Sequence, residues 1–153
     1  MSYWLVIHII GVVLLVGNIV TAAFWKIRAD LQNNPVVIHS AVKNVMLADY
    51  VFTLPGIALI TISGIVMAVR SGMPMSGLSW LTLSVILFAI SGILWLTLLI
   101  PLQRSMIRHS AQSVEQKAVT EGYRRASRYW AIFGIVSTLL PVVILYLMIT
   151  RTL

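Results

Sequence analysis

His8 is the only histidine in an uncharged stretch of this chain; His39 and His109 lie among charged residues. An ionisable group inside a membrane-length apolar segment is costly, so it faces a bundle interior and marks a site. At ~100° per residue, His8, Gly11, Leu15, Asn18 and Ala22 fall on one helix face. A neutral imidazole with glycine one turn away, leaving room for a flat group, is a ligand pattern for haem b. The plainer alternative is a histidine hydrogen-bonded across helices. A second axial ligand must come from the same depth. Lys26 lies ~27 Å further along the helix, so Met67 is the better match, His/Met being cytochrome chemistry. Met67 as simple apolar filler stays open. Arg70 is placed to meet a propionate. Asp49 reads as a helix N-terminal acid or a partner for Lys26, Arg28 or Lys43. Alternatively it lines a polar mouth with Thr53, Pro55 and Gly56. Asn18 is expected to hydrogen-bond in the core.

What must position these groups is set by charge exclusion. The stretches 3–25, 51–69, 80–102 and 129–150 contain no Asp, Glu, Lys or Arg. At 1.5 Å per residue, about twenty residues cross a ~30 Å hydrocarbon core. The chain of 153 residues is 59% hydrophobic and 10% charged, with mean hydropathy +0.97; soluble domains carry about a quarter charged residues. The expectation is all-α: a transmembrane four-helix bundle, up-down, forming a single integral membrane domain over 1–153. The uncharged first run follows no basic n-region and is too long for a signal core, so it reads as a span. The absence of cysteine excludes disulfides, thiolate metal sites and covalent haem attachment.

The net charge is +7, but nine of the eleven basic residues sit in 26–49 and 104–128, the others being Arg70 and Arg151. That distribution is an orientation signal rather than a nucleic-acid footprint. It predicts cytoplasmic loops 26–49 and 103–128 and external, periplasmic N- and C-termini. Asn33–Asn34–Pro35 predicts a break before a short interfacial helix over 36–49, and Pro55–Gly56 a kink opening span two. Span three is expected to end near Pro101. Over 103–128, Ile107, Ala111, Val114 and Ala118 recur at helical spacing, predicting a basic amphipathic segment that either extends span three or lies on the inner leaflet. Pro141 should bend span four. Gly64, Gly92 and Gly134 read as close-packing positions.

Phosphate-cradling loops, His-Glu-x-x-His and a serine elbow are all absent, so hydrolytic and nucleotide chemistry find no support. Four short spans are few for a transporter built from paired repeats.

Ile7–Asn18 resembles the first span of an uncharacterised family of predicted four-span bacterial membrane proteins, a domain of unknown function. The likeness continues in Phe24–Trp25–Lys26, in Asp49–Tyr50–Val51–Phe52–Thr53–Leu54–Pro55–Gly56, and in Trp95, Pro101–Leu102–Gln103 and Tyr129–Trp130. The first span is also similar to that of the HemJ-type protoporphyrinogen oxidases, haem b proteins with a His-x-x-Gly motif, matched here by His8 and Gly11. It is similar too to the copper-resistance protein D family. Leu15–Val16–Gly17 stands where the oxidases have a tryptophan–glycine pair, and their intramembrane lysine has no counterpart in these spans. Together these features imply a small haem b-binding protein of a bacterial inner membrane, acting in electron transfer or porphyrin redox chemistry. Its partners would be the bilayer, a second copy or a membrane redox protein, and not nucleic acid. The alternatives are a cofactor-free assembly subunit or a copper-transport protein.

Overall fold

The computed structural model describes residues 2–152. Four long helices account for nearly all of them: α1 (Ser2–Asp30), α2 (Pro35–Ser71), α3 (Trp80–Gln116) and α4 (Glu121–Thr150), each long and apolar enough to cross a membrane. Among the described residues there is no strand. The helices start where the side chains can cap them. Asn34 accepts from the Val36 N–H at 3.0 Å, with Pro35 in the first turn; Ser79 accepts from Thr82 N–H and Thr120 from Tyr123 N–H. Gly72, at φ 63°, closes α2 in the left-handed conformation that glycine adopts without strain.

Burial is inverted relative to a water-soluble protein. The spans turn Val13, Ile65, Ile93 and Ile149 outward, while Asn18, Asp49, Thr53, Ser63, Ser84, Gln103 and Ser137 are buried. That is the arrangement a hydrocarbon solvent selects. Two aromatic and cationic belts bracket the spans. At the end carrying the termini, Arg70 donates to Tyr3 Oη at 3.0 Å and lies 5.8 Å from the Trp4 ring, and Arg151 lies 5.7 Å from the Trp80 ring. At the other, basic end stand Trp25, Tyr129 and Trp130. Trp4 and Trp25 are about 32 Å apart along α1, one hydrocarbon thickness.

Charge-free windows mark the hydrocarbon layer but not the helix ends. The expected interfacial helix over 36–49 is the first third of α2, continuous with span two. The helix of span three continues past Pro101 to Gln116, the first of the two arrangements expected for 103–128, and the helix of span four begins at Glu121, ahead of its charge-free stretch. At 1.5 Å per residue, α2 and α3 reach about 55 Å and project beyond the bilayer at the basic end. There Ile38, Val42, Met106, Tyr123 and Ala126 form a small apolar core. The buried face of the α3 extension is Gln103, Met106, Ser110 and Ser113, rotated from the predicted Ile107, Ala111, Val114, Ala118 stripe. Small serines occupy core positions there, and His39 Nδ1 and Ser110 Oγ lie 2.8 Å apart.

At Pro55–Gly56, α2 widens just before the proline. Pro55 has no N–H for the carbonyl four residues back, and its ring crowds that carbonyl. The chain forms a π-turn over Asp49–Thr53, where the Leu54 N–H bonds to the Asp49 carbonyl five residues back. Pro101 has the same effect in α3: Trp95–Leu99 is a π-turn closed by Ile100 N–H on the Trp95 carbonyl. Such turns re-aim side chains and recur at functional sites.

The glycines that bring the backbones of two spans together are Gly11 and Gly56. A Cβ on Gly11 would stand 3.0 Å from the Gly56 carbonyl oxygen, and one on Gly56 3.0 Å from that of Gly11. This contact joins α1 to α2 along the membrane. At Gly92 and Gly134 a Cβ would meet nothing within 4 Å, so these two open onto space instead. The α1–α2 pair and the α3–α4 pair come together at the basic end and diverge toward the termini. No Cα of Leu54–Ser71 lies within 8 Å of Trp80–Leu94 or of α4.

Candidate functional site

The helical stripe on α1 is the first wall of the site. Gly11, Leu15 and Asn18 are buried as the spacing predicts, and the same face continues to Lys26 and Ala29. Asn18 meets Asp49, which the first π-turn aims inward. Asp49 lies opposite Asn18, about 10 Å inside Trp25 along α1, so it is within the bundle rather than at its boundary. Its Oδ1 accepts from Asn18 Nδ2 at 2.8 Å and Thr53 Oγ1 at 3.0 Å; its Oδ2 accepts from Gln103 Nε2 at 2.7 Å and Trp95 Nε1 at 3.2 Å. Asn18 Nδ2 also reaches Thr53 Oγ1 at 3.0 Å. No cation takes part. Four neutral donors from α1, α2 and α3 converge on one carboxylate, and two of them come from the proline-adjusted part of α3. An intramembrane carboxylate survives only with such a full set of donors.

About two turns further along α1, closer to the basic end, lies the second polar centre. Lys26 is 2% exposed and donates to Asp30 Oδ2 at 2.6 Å and to Ser127. Asp30 also accepts from the Tyr123 hydroxyl and, at 3.2 Å, from Ser127 Oγ. The ammonium lies 5.2 Å from the Trp130 ring and 5.6 Å from the Tyr123 ring, so its charge is shared between a carboxylate and two aromatic faces. This centre ties α1 to α4.

Between the two centres is a cavity of about 650 Å³, where the helix pairs meet. Lys26, Asp30, Arg124 and Arg128 border it at the basic end, Asp49, Gln103 and Trp95 on one side. Phe88, Gly92, Gly134 and Leu139 line its deeper apolar part. Three buried polar atoms on its wall have no hydrogen-bond partner: Gln103 Oε1, Trp130 Nε1 and Ser137 Oγ. Pro141, four residues beyond Ser137, also has no N–H to give the Ser137 carbonyl. Buried polar groups are normally paired; these three atoms are sealed within the wall and do not face the open space of the cavity.

His8, Gly11, Met67 and Arg70 lie elsewhere, toward the terminal end, and none of them lines this cavity. His8 Nδ1 is 3.0 Å from Ser63 Oγ, and the ring lies against Gly64. The space expected beside Gly11 is occupied by the α2 backbone and Ile60. Met67 is half-buried, one turn beyond Ser63, and Arg70 is held at the surface by Tyr3 and Trp4. Among the described residues no group of three His, Asp or Glu side chains is gathered as a metal site.

The model of a family described as predicted integral membrane protein (DUF2269) matches residues 2–152. The chain belongs to that family. No curated protein and no solved structure matches it. It is therefore a multi-pass integral membrane protein of a family whose function is not known. Lys26 and Gln103 are the site residues that composition conceals. Lys26 looks like a lipid-facing anchor beside Trp25, yet it sits four residues after Ala22 on the His8–Asn18 face.

Proposed function

We propose that this protein binds a small amphiphilic molecule between its two helix pairs, with the polar part of the ligand at the basic end. The observation that carries this reading is the cavity itself, apolar in its depth and bordered by Lys26, Arg124 and Arg128 at one end, beside two satisfied ionic centres. The geometry suits holding rather than transforming a ligand. Asp49 is fully engaged by donors, and Lys26 is committed to Asp30, so neither is free as a base or nucleophile. The excess of positive charge around loops 26–49 and 103–128 supports a cytoplasmic basic end in a bacterial inner membrane.

Gly92→Leu combined with Gly134→Leu tests this. Both positions have open space ahead of a Cβ, so the leucines fill the cavity without breaking packing. Native mass spectrometry of protein purified in detergent should show a bound small molecule on the natural chain. Occupancy in the double variant should fall at least about tenfold. Equal mass spectra with no adduct in either protein would remove the proposal.

A second reading is haem b held by His8. Its favourable observation is the Ser63 hydroxyl on Nδ1, the kind of contact that orients a ligating imidazole. Against it, α1 and α2 leave no gap at Gly11, so the residues as placed do not fit a porphyrin between these helices. We expect protein expressed with haem available to show no Soret band. A band that is lost in His8→Ala would establish the haem reading in place of the first.

A further inference from the structure

We infer that the ligand is one anionic phospholipid, its phosphate at the basic mouth of the cavity and a chain in the crevice between the helix pairs. This rests on the proposed binding role and specifies the ligand's class.

Three features converge on that occupant. The first is depth. The mouth lies at the belt of Trp25, Tyr129 and Trp130, where head groups sit, and the cavity runs inward from there past Ser137, about 10 Å deeper along α4. The second is charge. Three cations and two carboxylates border the cavity, but Asp30 and Asp49 are already occupied by donors. Arg124 and Arg128, one turn apart on α4 and both exposed at the mouth, have no carboxylate partner among the described residues, where Lys26–Asp30 is the one salt bridge. Two exposed guanidiniums present donors that match a phosphate diester.

The third is the crevice. The outer halves of the two pairs stand apart, with no Cα of Leu54–Ser71 within 8 Å of Trp80–Leu94. Phe88, Ile135, Leu139 and Ile57 line the cavity on its way there. In a bilayer such a wedge is filled by hydrocarbon, so a molecule with an acyl chain satisfies both ends of the cavity at once. A free inorganic anion would leave the apolar part empty.

The test is a native mass spectrometric titration of the full chain in detergent, with phosphatidylglycerol and phosphatidylcholine as probes. One phosphatidylglycerol per chain is expected, at about tenfold lower lipid concentration than phosphatidylcholine requires, as for one or two charge-assisted hydrogen bonds. Arg124→Gln with Arg128→Gln should weaken both lipids, which share the phosphate diester, but phosphatidylglycerol more, so that its preference over phosphatidylcholine is lost. Gly92→Leu with Gly134→Leu should remove both. If both lipids bind equally to the natural chain and both are lost on filling the cavity, the head-group assignment fails while the binding role stands. If the preference for phosphatidylglycerol survives the leucines, it belongs to the exposed basic surface and the inference is overturned. If neither lipid binds stoichiometrically, the inference fails, and a remaining adduct sensitive to the leucines would keep the binding role alone.

Discussion

Replacing Asp49 by alanine should cost about 4 kcal/mol of stability, the largest effect of any single substitution in this chain outside gross backbone disruption. The reason is what the substitution leaves behind. Trp95 Nε1 and Gln103 Nε2 lose their acceptor, and Thr53 and Asn18 keep only each other. Each buried donor without a partner costs about 1–3 kcal/mol, partly relieved where cavity water reaches it. The loss also has a location. Asp49 is the point where α1, α2 and α3 are joined at depth, and the helix pairs have no backbone approach nearer the termini. Thermal unfolding in detergent should therefore shift strongly and become less cooperative. Asp49→Asn keeps the shape and one accepting oxygen but turns an amide N–H₂ toward donors, so it should lose about half as much. An Asp49→Ala midpoint indistinguishable from the natural chain would show that the four hydrogen bonds do not hold the pairs together.

The spans were legible because a charge in hydrocarbon is expensive, and four charge-free windows mean four crossings whatever the tertiary detail. Their limits were less so. Amphipathic helix outside the membrane carries charge freely, so the windows stop at Asp49 and Leu102 although the helices do not. The inner face of α1 was readable from 3.6-residue spacing as far as Ala22, and one more turn reaches Lys26. A lysine beside a tryptophan belt suggests snorkelling to water, and only the partner helix, through Ser127, Tyr123 and Trp130, reveals that the ammonium turns inward. The donors on Asp49 were opaque for a similar reason: Trp95 and Gln103 are polar groups on a helix whose π-turn alters the face they occupy. Sequence spacing assumes an unbroken α-helix, and proline-driven widening breaks that assumption at both positions that matter. Gly92 and Gly134 show the complementary limit. A glycine in a span signals either contact or vacancy, and composition does not distinguish them.

Lys26→Met should destabilise the protein by about 3 kcal/mol. Breaking a buried ion pair by removing one partner costs about 3–5 kcal/mol, because the other charge is stranded. The lower end applies here: the Asp30 side chain keeps 28% exposure and retains Tyr123 and Ser127 as donors. A methionine fills the stem's path between the Tyr123 and Trp130 rings, so packing changes little and the loss reports the charge. The double variant Lys26→Met, Asp30→Asn separates the two contributions. With no uncompensated carboxylate, it should recover about half of the loss, since replacing both partners of a buried pair is far less costly than removing one. Unfolding of the three proteins in the same detergent gives the comparison. A double variant no more stable than Lys26→Met would mean that the ammonium acts through the aromatic faces and Ser127 instead, and that Asp30 is held by Tyr123 regardless. That result would move the joint between α1 and α4 from an ion pair to a cation held on two rings, leaving the basic mouth of the cavity with one more charge available to a ligand.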